Sequence, residues 1–323
     1  MADEILNSEI NTEPEINEDV LFEIVDNNAV DSEKIDAPRY SYWRSVFRCF
    51  FKNKINIIAL AMLIVILLLA YVQPLFSGFT RMEGIEGAKN VPPFKDWEHI
   101  FGTDKFGDDI WSLTWAGTQF SLTLAFVATA INMVLGIIVG ALWGYSKFFD
   151  KIFTEMYNII ANVPSLVVTL IIMYSLTTWG TYFWKLILAF SITGWLGIGY
   201  SFRTQVIIIR DRDYNLASRC LGTSTFSMII HNILPFLVSI IVTYVSNYLP
   251  SSIGSEVFLS FIGLGFNQYQ PSLGNAISSG VSYISQAENY IFWIPVAVSA
   301  IVTVTLYVAG QGLADASDPR NHR

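Results

Sequence analysis

Six stretches free of charged side chains, each able to hold a helix that crosses a lipid bilayer, limit what this chain can fold into more than any other feature. The first runs over 55–72, eighteen residues in which Asn56 is the one strongly polar side chain, and at 1.5 Å per residue it spans about 27 Å of hydrocarbon. The others run over 110–146, 156–184, 186–202, 220–255 and 289–314. A backbone in lipid must satisfy its own polar groups, so these stretches predict an all-α membrane protein with six transmembrane helices, centred near 64, 132, 167, 194, 239 and 301. Only a few residues around Lys185 separate the third and fourth, which predicts an antiparallel hairpin there, with one longer fused helix as the alternative. The composition agrees: 53% of the residues are hydrophobic and 14% charged, against about 25% charged in soluble domains.

The net charge of -8 is confined to one end. Residues 1–36 hold 12 Asp and Glu against the single Lys34, so the remaining 15 acidic and 18 basic residues leave the rest of the chain at +3. Such a segment buries too little surface to offset its ordering entropy and is predicted to be disordered. Its acidic start also argues against a secretory signal, and nothing in the charge pattern points to a nucleic-acid partner. Basic residues near span ends stay on the cytoplasmic side. With the N-terminus inside, that side receives thirteen Lys and Arg beyond the tail, from Arg39 to Arg323, while Arg81, Lys89, Lys95, Lys105 and Lys185 stay outside. The expected organisation is an acidic cytoplasmic tail (1–38), an amphipathic lead-in and first span (39–76), an external loop (77–115) and a five-helix core (116–315). The core holds a cytoplasmic loop (203–230) and an external segment (250–288), and a cytoplasmic tail (316–323) ends the chain.

Several chemistries are missing. Cys49, Cys220, His99, His231 and His322 lack the spacing of a disulfide framework or a metal site, so no metal is expected. None of the nine lysines precedes Ser or Thr, which excludes a phosphate-cradling P-loop in this chain. Neither a His-Glu-x-x-His pair nor a Gly-x-Ser-x-Gly elbow occurs, and no enzyme activity or catalytic residue is expected. The spans also lack the central charges on which ion-coupled carriers depend.

Within the spans, Gly136, Gly140 and Gly144 share one helix face and allow a neighbouring backbone to come close. Pro164 and Pro235 each remove an intrahelical hydrogen bond and should bend their helices, either beside a cavity that opens and closes or as plain kinks. Glu256 stands in an otherwise uncharged outer segment. It is a candidate for a peptide's amino terminus or an external partner, or else a structural cap.

The loop 203–230 is too long for a simple connector, and Asp213-Tyr214-Asn215-Leu216-Ala217-Ser218-Arg219-Cys220-Leu221-Gly222 within it reads as a short helix. Asp211 or Asp213 can cap its start, Leu216, Ala217, Cys220 and Leu221 share a face, and Gly222 can take the left-handed conformation that ends a helix. Leu216-Ala217-Ser218-x-x-x-Gly222 followed by Asn232-x-Leu234-Pro235 resembles the EAA loop of permease subunits of ABC importers, with Leu216, Ser218 and Asn232 in place of the usual Glu, second Ala and Ile. Phe101-Gly102-Thr103-Asp104-x-x-Gly107-x-Asp109, the run Glu256-x-x-Leu259-Ser260-Phe261-Ile262-Gly263-Leu264-Gly265, and the ending Gly312-Leu313-x-Asp315-Ala316-x-Asp318-Pro319-Arg320 resemble further segments of the oligopeptide and dipeptide permeases. The run Lys105-Phe106-Gly107-Asp108 is a departure, since relatives usually carry Arg after the Gly, where this chain has Asp108.

This resemblance implies a MetI-like permease fold with an extra N-terminal span, acting as the second permease subunit of an oligopeptide importer, with dipeptides or nickel as alternative cargo. A gated channel would explain the spans but not the loop. The implied partners are a second homologous permease, two ATPase subunits that bind ATP and Mg, an external substrate-binding lipoprotein, the peptide and membrane lipid. No cofactor is implied for this chain itself. Tyr214, Asn215, Leu216, Ala217, Ser218, Arg219, Leu221 and Gly222 would couple it to the ATPases, and Glu256, Pro164 and Pro235 are candidates for the substrate pathway.

Overall fold

The computed structural model describes residues 41–77, 88–95, 97–176, 180–264 and 270–318. The chain divides into the units Met1–Tyr42 and Trp43–Arg323, and only Ser41 and Tyr42 of the first are described. The predicted acidic tail (1–38) and the end of the C-terminal signature from Pro319 lie outside the described residues.

The main helices are α1 (Tyr42–Lys52), α2 (Lys54–Ser77), α3 (Ile110–Tyr145), α4 (Lys147–Ile160), α5 (Ser165–Ser175), α6 (Tyr182–Arg210), α7 (Asp213–Cys220), α8 (Val238–Leu259), α9 (Leu273–Gly280) and α10 (Tyr290–Ser317). Among the described residues the β structure is limited to one bridge, Thr103 to Asp109. Among the described residues five segments are long and apolar enough to cross a bilayer: Lys54–Ser77, Ile110–Tyr145, Tyr182–Arg210, Thr225–Gly263 and Tyr290–Ser317. The sixth expected span, near 167, is not one straight helix. α4 and α5 meet at 84° and make a crossing only if they are taken together.

Pro164 accounts for that break. It lacks an N–H, it disfavours helical geometry in the residue before it, and it stands just ahead of α5 with φ −56° and ψ 122°. Pro235 is absorbed instead. The chain widens into a π-helical turn over Met228–Ile233, where the Leu234 N–H reaches back to the Ile229 carbonyl, then tightens into a 3-10 turn over Leu234–Leu237 before α8 begins. The boundary between the third and fourth spans also differs from the expected one. α5 ends at Ser175 and α6 begins at Tyr182, with Gly180 just ahead of it at φ +61°, and the Lys185 N–H already donates to Thr181 O at the start of α6. A lysine near a span end extends its charged head toward water and leaves the helix intact, so charge alone misplaces the break. α5 nevertheless packs beside α6, with Met173 against the cluster that holds Leu186 and Ile187 of α6 and Leu124 of α3.

α3 has 36 residues and at 1.5 Å each reaches about 54 Å. Its glycine face lies against α6: a Cβ on Gly136 would lie 2.5 Å from Ile198 Cγ2, one on Gly140 2.5 Å from Gly199 O, and one on Gly144 2.6 Å from Arg203 O. Met133, Phe202, Val206, Met228 and Leu237 close one core around this seam. A second core joins Ile66 and Ala70 of α2 to Leu122, Ile253 and Leu306 of α3, α8 and α10. Asn56, the polar residue in the first span, donates to Phe50 O at the end of α1, and its Oδ1 fills the place a Cβ on Gly312 would need.

The Gly-Thr-Asp segment before α3 forms a tight turn. Asp104 Oδ1 accepts from the N–H groups of Phe106 and Asp108 at 2.8 and 3.0 Å, while Gly102 and Gly107 hold φ of +80° and +86°. Asp109 Oδ2 caps α3 by accepting from Ser112 N at 2.9 Å. The Tyr290 hydroxyl of α10 lies 3.0 Å from both Val91 O and Thr103 O, which pins the turn to the last span.

Candidate functional site

α7 forms where the sequence places it, but neither Asp211 nor Asp213 caps it. Arg212 is the N-cap residue and makes no side-chain capping bond. Asp211 is drawn away by Arg210, whose Nε and Nη2 donate to its two carboxylate oxygens at 2.9 and 3.1 Å. That guanidinium holds the Asp211 carboxyl below the usual carboxylate range. Arg210 Nη1 also donates to Gly144 O and Tyr145 O at 2.8 and 3.2 Å, carbonyls that the end of α3 leaves without helical partners.

The other end of α7 follows the sequence reading. Gly222 has φ +85°, its N–H donates to Arg219 O at 3.0 Å, and Thr223 N donates to Ser218 O at 3.2 Å. This pair of bonds is a Schellman cap, which needs a residue at ease in the left-handed region. Asn215 is the buried residue of this helix, and its Nδ2 donates to Ile209 O in α6 at 2.8 Å. Ser218 is half-buried, whereas Tyr214, Leu216, Ala217, Arg219, Cys220 and Leu221 are exposed. Leu221 is 87% exposed and Phe226, just beyond it, 74%; Tyr214 stacks loosely on Phe236 at 5.8 Å. The expected small and apolar face therefore points away from the protein's own core.

On another face α6, α8 and the broken α4–α5 pair wall a cleft of about 480 Å³. Pro164 lines it, together with Thr193, Tyr248, Ser251, Ser252 and Ser255, and among the described residues no charged side chain does. The three serines donate to carbonyls four residues earlier in α8, at 2.8 to 2.9 Å, so their protons are already engaged. Tyr157, also in the lining, stacks on Tyr200 at 4.5 Å with ring planes 8° apart. Beside it Arg203 pairs with Asp150 and lies over the Trp143 and Tyr200 rings at 5.8 and 5.6 Å. The sequence reading missed this α4–α6 lock. The signal for it, one acid and one arginine amid aromatics, is spread over sixty residues.

Glu256 and Pro235 do not line the cleft. Glu256 is 0% exposed, accepting from Ser121 Oγ of α3 at 2.8 Å and from Ser260 Oγ at 3.1 Å, and further from Ser272 and the Gly274 N–H at the start of α9. Of the roles open to it from sequence, the geometry is that of the cap: one carboxylate gathers α3, α8 and α9.

An all-α membrane chain with a cleft between spans and a short exposed helix linking two of its walls is a transport subunit in design, and the chain belongs to the family described as binding-protein-dependent transport system inner membrane component, matched over residues 132–323. Residues 41–93 match the N-terminal TM domain of oligopeptide transport permease C, so the extra first span is part of the family pattern. The chain is 43% identical over 94% of its length, and 97% of the relative's, to the oligopeptide transport system permease protein AmiD of Streptococcus pneumoniae. It is 31% identical to the OppC protein of Bacillus subtilis, over 93% of this chain and 97% of that one. The dipeptide transport system permease protein DppC of the same organism is 30% identical, over 91% and 90%. The chain is thus a multi-pass permease subunit of an ABC transporter and not an enzyme.

Proposed function

We propose that this chain is the second of two homologous permease subunits of an oligopeptide importer, and that α7 couples it to the ATPases. The observation that carries this is the position of α7. It links α6 to the span containing α8, both walls of the cleft, and presents Tyr214, Leu216, Ala217 and Leu221 outward. Displacing a short helix that joins two walls tilts both, so a partner that holds α7 differently in two states shifts the cleft between two openings. Two ATPase subunits that bind ATP and Mg would supply those states, and an external substrate-binding lipoprotein would deliver the cargo. The count of thirteen basic residues against five supports both termini in the cytoplasm. Oligopeptide cargo is supported by the relatives' names, among which dipeptide transport also occurs.

The test is ATP-dependent uptake of labelled dipeptides, pentapeptides and nickel in cells with and without the chain, alongside purification of the chain with its neighbours. Loss of pentapeptide uptake and stoichiometric recovery of ATPase subunits are expected. Loss of dipeptide or nickel uptake alone would change the cargo. Recovery of the chain without ATPases, with all uptake intact, would refute the importer.

A further inference from the structure

Asn215, Ser218 and Asn232 meet where three elements come together. Asn215 ties α7 to Ile209 O at the end of α6, and its Oδ1 accepts from Asn232 Nδ2 at 3.2 Å. The same Asn232 amide lies 3.3 Å from Ser218 Oγ, which is 3.3 Å from Thr223 Oγ1 beyond the helix cap. Asn232 itself stands in the π-helical turn Met228–Ile233 that leads into α8. Ser218 and Asn232 are two of the positions at which this chain departs from the coupling-loop pattern, and the two departures are hydrogen-bonded to each other.

We infer that Asn215, Ser218 and Asn232 are positioning residues that form a polar joint, carrying displacement of α7 into the widened turn at the entry to the α8 span. The inference rests on the reading of α7 as the coupling helix. Apolar contact resists being pushed together but lets surfaces slide. Hydrogen bonds fix distance and direction, so they also hold against sliding and separation. The joint acts on a π turn, a wide and uncommon helix geometry often found at functional sites, three residues ahead of Pro235, where the helix already changes pitch. α7 therefore moves α8 through side chains as well as through the connecting backbone at 221–224.

The experiment uses the complex of both permeases and the ATPases in proteoliposomes with the binding protein, and reads labelled pentapeptide taken up per ATP hydrolysed at matched assembly. N232I is expected to lower that ratio about fivefold while assembly and ATP hydrolysis persist, since one lost hydrogen-bond partner is worth about that factor. S218A should lower it less, and the double variant S218A/N232I should fall short of the product of the two effects, because the variants remove a shared bond. S218A, a small change on a half-buried residue, keeps the test open if N232I does not assemble. An assembled N232I or S218A with the wild-type ratio, or strictly multiplicative effects, overturns the joint. Wild-type complex that takes up no peptide with ATP would instead refute the coupling reading beneath it.

Discussion

Replacing Glu256 separates a structural carboxylate from one that meets a passenger. Its donors are Ser121, Ser260, Ser272 and the Gly274 N–H. In Glu256→Ala, Ser260 can turn to the carbonyl four residues back, as Ser251, Ser252 and Ser255 already do in the same helix, and Ser121 can do likewise in α3, following Thr118 and Thr123. Ser272 and Gly274, at the start of α9, have no preceding helical turn to turn to. Two buried donors left unmade at about 1–3 kcal/mol each give about 2–6 kcal/mol, before any cavity is counted. Glu256→Gln keeps the shape and one good acceptor and should lose about 1–2 kcal/mol. The assay is thermal unfolding of the detergent-solubilised complex together with the KM and maximal rate of peptide uptake. E256A should unfold or fail to accumulate, and E256Q should show a modest drop in stability with KM unchanged. An E256Q variant of wild-type stability whose KM for peptides rises tenfold would refute the cap and restore the passenger contact.

Gly140→Ala forces a Cβ to within 2.5 Å of Gly199 O and 2.7 Å of Phe202 Cβ, so α3 and α6 must part; unfolding should show a loss of about 1–3 kcal/mol. Gly197→Ala, in a helix but with nothing within 4 Å of the added atom, should leave stability level or raise it by up to about 1 kcal/mol, and equal losses in the two variants would remove the seam argument. Gly222→Val meets no neighbour but must hold φ near +85°, at a conformational cost of about 1–2 kcal/mol. It should reduce peptide uptake at normal membrane levels while Gly222→Asn, which tolerates that geometry, retains most of it; normal uptake by G222V would count against the role of the cap. Ala217→Arg places bulk and charge on the exposed face of α7 and should release the ATPases on co-purification.

What the sequence made legible was local. Apolar runs located the spans because a helix in lipid must be long and uncharged, and the four-residue glycine spacing identified the α6-facing side of α3 because a helix repeats nearly at that interval. Gly222 was readable because a left-handed cap has few candidate residues. Pro164 was readable as a disturbance but not as a complete break, since Pro235 has the same chemistry and the chain there changes pitch without breaking. The cap on α7 was misread for a longer-range reason: Asp211 had a stronger partner in Arg210, which was itself recruited by the end of α3. Glu256 depends on Ser121, 135 residues away, and no periodicity within one helix encodes such a meeting. Ser218 and Asn232 looked like two unrelated lapses from a pattern until their separation of 3.3 Å joined them.

The serines that wall the cleft spend their protons on their own helix, and no fixed charge stands among them. On the proposed reading of the cleft as the passenger's path, such a wall would grip weakly, offering lone pairs but no ion pair that must be broken before release. A passenger moving along it would meet low friction and have a short dwell time, so a conduit of this kind can accept many side chains at similar speed. Discrimination among them then falls to whatever hands the passenger over at the entrance.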